Sequence, residues 1–207
     1  LRSQNIVQIL GAISRRSQLD IVMEFCERGS LRFVLDNLHE PWSLYDQTIA
    51  LLHVSMGMDY LHSRGFIHRD LKSLNVLIDE KGRCKVSDFG QSKSFTFNTL
   101  STTMTRGGAG TGTVAWNAPE VLDNEEATNK SDVYSYAIIA WEIMTTKIPW
   151  EGLTIPQINR KVCDKNARPE WAGQENGALI ALTEDCWSAD PSKRPHFSEI
   201  VVRLESL

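Results

Sequence analysis

The stretch that most limits the folds open to this chain runs from Val133 to Met144, with Asp132 just ahead of it. Across it only Ser135 and Glu142 interrupt a series of apolar and aromatic side chains. A helix that is apolar on every face has no side to turn to water, so it needs protein all around it. The run falls short of the roughly 20 apolar residues that cross a bilayer, so its place is the middle of a lobe. Asp132 falls in the first turn, where a carboxylate meets the free amides of a helix start. A surface Asp serving the helix dipole reads the same locally; the apolar run around it points to burial.

The remaining composition fits one globular domain around that helix: 207 residues, 42% hydrophobic and 23% charged, enough for a sizeable core. A net charge of −4 leaves no basic footprint for nucleic acid. No secretory signal opens the chain. Cys26, Cys84, Cys163 and Cys186 have neither C-x-x-C spacing nor the density of a disulfide framework, which predicts reduced thiols and a cytoplasmic or nuclear setting.

Upstream, His68-Arg69-Asp70-Leu71-Lys72-Ser73-Leu74-Asn75 is followed by Asp88-Phe89-Gly90 and then by Ala118-Pro119-Glu120. Taken singly, each is a solvated loop charge or a capped turn. Taken in this order and register, they resemble the signature set of the protein kinases. Gly112-Thr113-Val114-Ala115-Trp116-Asn117-Ala118-Pro119-Glu120 is similar to the substrate-binding loop of the tyrosine-kinase-like serine/threonine kinases, with Asn117 where that group usually has Met. Cys186-Trp187, Asp190-Pro191, Arg194-Pro195 and Phe197 resemble the close of the tyrosine-kinase and tyrosine-kinase-like domain, and Ala137 stands for the usual Gly of the buried helix.

The resemblance implies an α+β, protein-kinase-like fold: a mainly helical C-terminal lobe with a remnant of the N-terminal lobe β-sheet. Moving a phosphoryl group to a hydroxyl needs a weak base, cations on the phosphates and oxygen ligands for those cations. Asp70 offers the carboxylate. Lys72, two residues on in an extended loop, points to the same side and reaches the transferring phosphate. Asn75 and Asp88 supply the oxygens that magnesium takes. The resemblance further makes Thr113 a bridge between Asp70 and Lys72, ties the catalytic-loop backbone to Asp132, and pairs Arg194 with Glu120. Lys72 and Thr113 favour Ser and Thr over Tyr in protein substrates.

Ile6–Leu10 and Leu19–Phe25 read as two short strands around a turn at Ser14-Arg15-Arg16-Ser17. By resemblance they belong to the small lobe, and Glu24 to Gly29 form the hinge. The backbone carbonyl of Glu24 and the amide of Cys26 would bond the adenine of ATP, Met23 would guard the back of the pocket and Leu77 would form its floor. An edge strand running into a loop explains Glu24 to Gly29 equally well locally, and Leu77 also reads as a plain core residue. Ser30 caps a helix running to about Leu38. A long helix from about Leu44 to His62 carries Ile49, Leu52, Met56 and Tyr60 as core positions. Phe66-Ile67 reads as a short extended piece, and Val76–Ile78 with Cys84–Ser87 as a hairpin.

The Gly-rich phosphate loop, the strand-3 lysine and the helix-C glutamate have no counterpart here. Residues 1–207 are therefore expected to be an N-terminally truncated kinase domain, with 1–28 the remnant of the N-lobe and hinge and 29–207 the C-lobe. Upstream N-lobe and regulatory regions would lie outside it. Such a chain is expected to be marginally soluble, to bind ATP weakly and to transfer no phosphate. The rival reading is a pseudokinase or scaffold that binds partners without catalysis, and codons upstream of Leu1 would separate the two.

Between Gln91 and Gly112 serines and threonines crowd in where a kinase has its activation loop. A solvated polar loop is the plain alternative. Arg69 and Lys93 stand ready for a phosphate on one of these hydroxyls through charge-assisted bonds. Mass spectrometry of an active preparation should find at least one modified hydroxyl between Ser92 and Thr111. A wholly unmodified segment in active protein contradicts this.

Overall fold

A computed structural model describes residues 2–15, 18–88, 93–94, 114–171, 173 and 176–207. The central helix is α4, Asn129–Thr145, and every residue from Ser131 to Thr145 is buried. Thr128 caps it, with a reciprocal bond to Ser131 that satisfies amides at the helix start. Around it pack α2 (Leu44–Ser63), α6 (Gly177–Cys186) and α7 (Phe197–Glu205). Phe197, at the start of α7, meets His62 of α2 and Tyr136 of α4 edge-on, with ring centroids 5.0 and 5.4 Å away. Full burial of an aliphatic side chain contributes about 1.5–3 kcal/mol, and Ile138, Ile139 and Ile143 are all fully buried.

The 20-residue α2 matches the predicted span to within a residue and stops at Gly65, whose φ of +75° suits the left-handed turn that ends a helix. Its buried stripe is Ala50, Leu51, Val54, Met58 and Leu61. Ile49, Leu52 and Tyr60 flank that stripe half-buried, and Met56 is 42% exposed. The expected core row is thus one strip off. The helix carries apolar residues on adjoining strips, so periodicity locates the helix but not the row that faces inward.

Among the described residues, three small ribbons accompany the helices. β1 (Ile9–Arg15) pairs antiparallel with β2 (Gln18–Met23); β3 (Phe66–Ile67) with β6 (Lys93–Ser94); β4 (Val76–Ile78) with β5 (Cys84–Val86). The helix expected after Ser30 is α1, Leu31–Asp36, capped by the Ser30 hydroxyl, which accepts from the Phe33 amide at 3.2 Å.

The first strand differs from its expected span. Ile6 and Val7 do not belong to the β1–β2 ribbon: both are 1% exposed, Ile6 bridges Val86, and the Val7 amide donates to the Val86 carbonyl at 2.9 Å. Their apolar side chains gain more from the helical core than from a ribbon on which Ile9, Leu10, Ile21 and Met23 remain exposed. The segment approaches α2 so closely that a Cβ on Gly57 would stand 2.5 Å from the Asn5 carbonyl oxygen. That carbonyl is already held by the Val86 amide at 2.9 Å and cannot retreat. Gly57→Ala, worth about +1 kcal/mol in a free helix, should instead destabilise the chain by about 1–3 kcal/mol through overpacking, read as a lower urea midpoint.

Candidate active site

The loop between β3 and β4 is built on Asp132. Its carboxylate, 2% exposed, accepts from the His68 amide at 2.8 Å, the Arg69 amide at 3.0 Å and His62 Nε2 at 2.8 Å. Arg69 sits at φ +71°, a left-handed conformation that costs a side-chain-bearing residue about 1–2 kcal/mol. The two amide bonds from one carboxylate hold that strain in place.

His68 is fully buried and is used on both ring nitrogens. Nε2 faces the Ser87 carbonyl at 2.9 Å, and Nδ1 faces the Asp70 amide at 3.3 Å. A carbonyl only accepts and an amide only donates, so Nε2 carries the proton and Nδ1 does not. The ring thus links the backbone of Asp70 to the residue preceding Asp88.

Asp70 emerges from this frame with its two oxygens in different settings. Oδ2 accepts from Lys72 Nζ at 2.8 Å and from Asn75 Nδ2 at 3.0 Å. Oδ1 is buried and meets no hydrogen-bond donor among the described residues. Asn75 also donates to the Asp70 carbonyl at 2.8 Å, while its own backbone carbonyl accepts from the Ser87 amide and hydroxyl, both at 2.8 Å. No described donor reaches the side-chain oxygen of Asn75. Asp88 follows at φ +61°, with an exposed carboxylate. The structure therefore brings Asp70, Lys72 and Asn75 together, and Asp88 directly follows Ser87, which is bonded to Asn75 and faces His68. Thr113, Phe89, Gly90 and most of the Ser/Thr-rich segment lie outside the described residues. Arg69 directs its guanidinium to Glu126, Nη2 to Oε1 at 3.4 Å.

A second buried acid, unassigned in the sequence reading, organises the other side. Glu142 of α4 is fully buried and accepts from three elements: Ser73 Oγ at 2.8 Å, Trp116 Nε1 at 2.7 Å and Arg32 Nη1 at 3.0 Å. Arg32 of α1 donates also to the carbonyls of Thr146 and Lys147 and pairs with Asp36 of its own helix at 2.8 Å. Burial pushes the Glu142 carboxyl up to about 7, against the pull of Trp116, Ser73 and Arg32. The available signal was a lone acid in an otherwise apolar run. Its partners lie far away in sequence, which hid its role.

Arg194, 1% exposed, forks onto Glu120 at 2.6 and 2.9 Å, as the resemblance implied. Burial opposes ionisation of Glu120, but the bonds and charge of Arg194 outweigh it and hold the carboxyl below its ordinary value. At the hinge, the Arg28 amide donates to the Ile78 carbonyl at 3.1 Å and the Ile78 amide to the Gly29 carbonyl at 2.8 Å. No described hydrogen bond uses the Glu24 carbonyl or the Cys26 amide, and Leu77 is half-buried on β4, where it bridges Ser30.

The family model described as protein tyrosine and serine/threonine kinase matches residues 1–204. The chain is 42% identical over 203 residues to the serine/threonine/tyrosine-protein kinase HT1 of Arabidopsis thaliana, covering 97% of this chain and 50% of that protein. It is 40% identical over 207 residues to the serine/threonine-protein kinase STY17 of the same organism, covering 100% of this chain and 35% of that one. To the probable serine/threonine-protein kinase drkC of Dictyostelium discoideum it is 42% identical over 213 residues, covering 100% of this chain and 28% of the relative. The chain thus spans half or less of the length of these relatives.

The fold favours the neutral form of Glu142, so its contribution to stability is full below about 4.5 and is lost as pH rises through about 7. Glu142→Gln should flatten the pH dependence of the unfolding free energy between pH 5 and 8 by about 3 kcal/mol. An unchanged slope in denaturant titrations across that range would refute the assignment.

Proposed function

Because the chain belongs to the protein tyrosine and serine/threonine kinase family, in its tyrosine-kinase-like group, we propose that it carries the site for ATP-dependent phosphoryl transfer to Ser and Thr hydroxyls of protein substrates in signalling. The observation that carries this reading is the split environment of Asp70. One carboxylate oxygen is held by Lys72 and Asn75, and the other is buried and without a donor among the described residues. An acceptor hydroxyl supplies the missing donor. Asp70 Oδ1 takes its proton as the hydroxyl oxygen bonds to the γ-phosphorus and the bond from that phosphorus to the β–γ bridging oxygen breaks, leaving ADP. Lys72, beside Asp70, holds a positive charge where the transferred group gathers negative charge. Thr113 completes this pair in the assignment carried over from the family.

Asn75 and Asp88 fit a magnesium ion. Each offers a side-chain oxygen that no described donor occupies, and among the described residues no group of three or more His, Cys, Asp or Glu forms a full protein cage. Magnesium is commonly shared between one or two protein oxygens and substrate phosphates. When bound it neutralises phosphate charge. Adenine would lie between the hinge, at the Glu24 carbonyl and Cys26 amide, and the Leu77 side chain. Residues 1–28 are accordingly assigned to the small lobe and hinge and residues 29–207 to the large lobe. No described helix is long and apolar enough to cross a membrane. The free thiols of Cys26, Cys84, Cys163 and Cys186 favour a cytoplasmic setting. A purely scaffolding role draws no support from a site in which base, lysine and metal-type oxygens converge.

In a domain competent for transfer, Asp70→Asn should lower turnover by about 10²–10⁴-fold while nucleotide affinity stays nearly intact. Joint loss of binding and rate would make Asp70 structural. Asp88→Asn should weaken binding of nucleotide in a magnesium-dependent way. Equal affinity across a magnesium titration would rule out Asp88 as a ligand.

A further inference from the structure

One carboxylate of the hinge is used twice. Glu24 Oε1 accepts from the Gln8 amide at 2.7 Å, and Oε2 accepts from Lys85 Nζ at 2.7 Å. The Glu24 amide also donates to the Gln8 carbonyl at 2.9 Å, so this residue closes the base of the β1–β2 ribbon with backbone and side chain together. Lys85 belongs to β5, directly opposite Leu77 of β4. Cross-strand partners direct their side chains to the same face, and in both strands the middle residue is half-buried between buried neighbours. Lys85 therefore stands beside Leu77 on the face turned toward the hinge.

Its ammonium is 12% exposed and needs partners there. Besides Glu24 it has Asp79, at 3.9 Å, whose other oxygen already accepts from the amides of Lys81 and Arg83. The charges bearing on the neighbouring Cys26 are those of Glu24, Asp79 and Glu27, opposed by Lys85. The far end of the hinge is tied to the β4–β5 hairpin by backbone bonds at Arg28 and Gly29 and by the Ser30–Leu77 bridge. At the near end, residues 23–26, the described tie to the hairpin is the Glu24–Lys85 pair.

We propose that Lys85 is a positioning residue for the nucleotide: through Glu24 it sets the spacing between the hinge backbone and the Leu77 floor. This rests on the adenine reading of the hinge given above. Without the ammonium, Glu24 to Cys26 are free to shift against Leu77, and a purine keeps its hinge bonds or its floor contact but not both. The base, Asp70, lies on a separately anchored loop and is left alone. The effect therefore falls on nucleotide affinity rather than on the chemical step.

The test uses a domain competent for transfer that contains this chain, and Lys85→Met, which keeps length and apolar stem while removing the charge. Lys85→Arg and Glu24→Gln serve as companions. Affinity for magnesium-ADP is measured by calorimetry, and exchange of the Gln8 amide by hydrogen exchange. Lys85→Met should raise the dissociation constant by about five- to tenfold and speed Gln8 exchange. Glu24→Gln should move affinity in the same direction, and Lys85→Arg should retain both values within about twofold. Faster Gln8 exchange at unchanged affinity would make Lys85 structural only, and no change in either readout would remove the latch itself; both overturn the proposal while the nucleotide site stands. A wild-type domain, competent for transfer, that takes up no magnesium-ADP overturns the hinge reading, and this proposal with it.

Discussion

The loop that carries Asp70 depends on one buried carboxylate. Asp132 takes two successive backbone amides and an imidazole N–H, and each is a group that would be costly to leave unpaired in the interior. The left-handed turn at Arg69 exists because both amides must point at the same acid. Remove the acid and the strained residue, the two amides and His62 lose their reason to stay where they are. Its place on α4, buried on all sides, makes the anchor rigid: the helix cannot tilt without disturbing the core packed around it. Asp70 inherits that rigidity one residue further along.

Glu142 repeats the device ten residues later on the same helix, about 15 Å along the axis at 1.5 Å per residue. There the donors are side chains: Ser73 from the same catalytic loop, Trp116 from the turn before Ala118-Pro119-Glu120, and Arg32 from α1. Ser135, the remaining polar residue of the run, bonds the Trp116 carbonyl at 2.8 Å. Every polar interruption of the apolar helix is thus occupied by a loop of the active site. The helix is a core element that doubles as the mounting for both the base and the neighbouring turn.

How far the sequence could be read follows from this arrangement. Asp70, Lys72 and Asn75 sit within six positions of one another, and a local phrase of fixed register announces a local geometry. The Ser30 cap and the β4–β5 hairpin were legible for the same reason. The family resemblance carried the long-range pairs Asp132 with the loop and Arg194 with Glu120. Glu142 and Lys85 were missed because their partners come from segments 26 to 110 and 61 positions away, with no short pattern to connect them. Ile6 and Val7 were given to a strand because alternation over five residues cannot say which of two apolar surfaces wins. Their complete burial against Val86 settles it in favour of the helical core.

The acids differ in depth, and the difference bears on what can move. The side chains of Glu142 and Asp132 are 0% and 2% exposed and each collects donors from separate elements, while Glu120 at 11% is matched by a single arginine fork and Glu24 at 27% by one lysine and one amide. A deeply buried charge must be fully solvated by protein or pay several kcal/mol of lost hydration; a part-exposed one can exchange a partner for water at small cost. The loop of Asp70 and the turn at Trp116 are consequently fixed, whereas residues 23–26 are tied to the β4–β5 hairpin through the less buried Glu24–Lys85 pair. Anchors graded in this order hold the Asp70 loop firmly and leave the Glu24 segment the freer of the two.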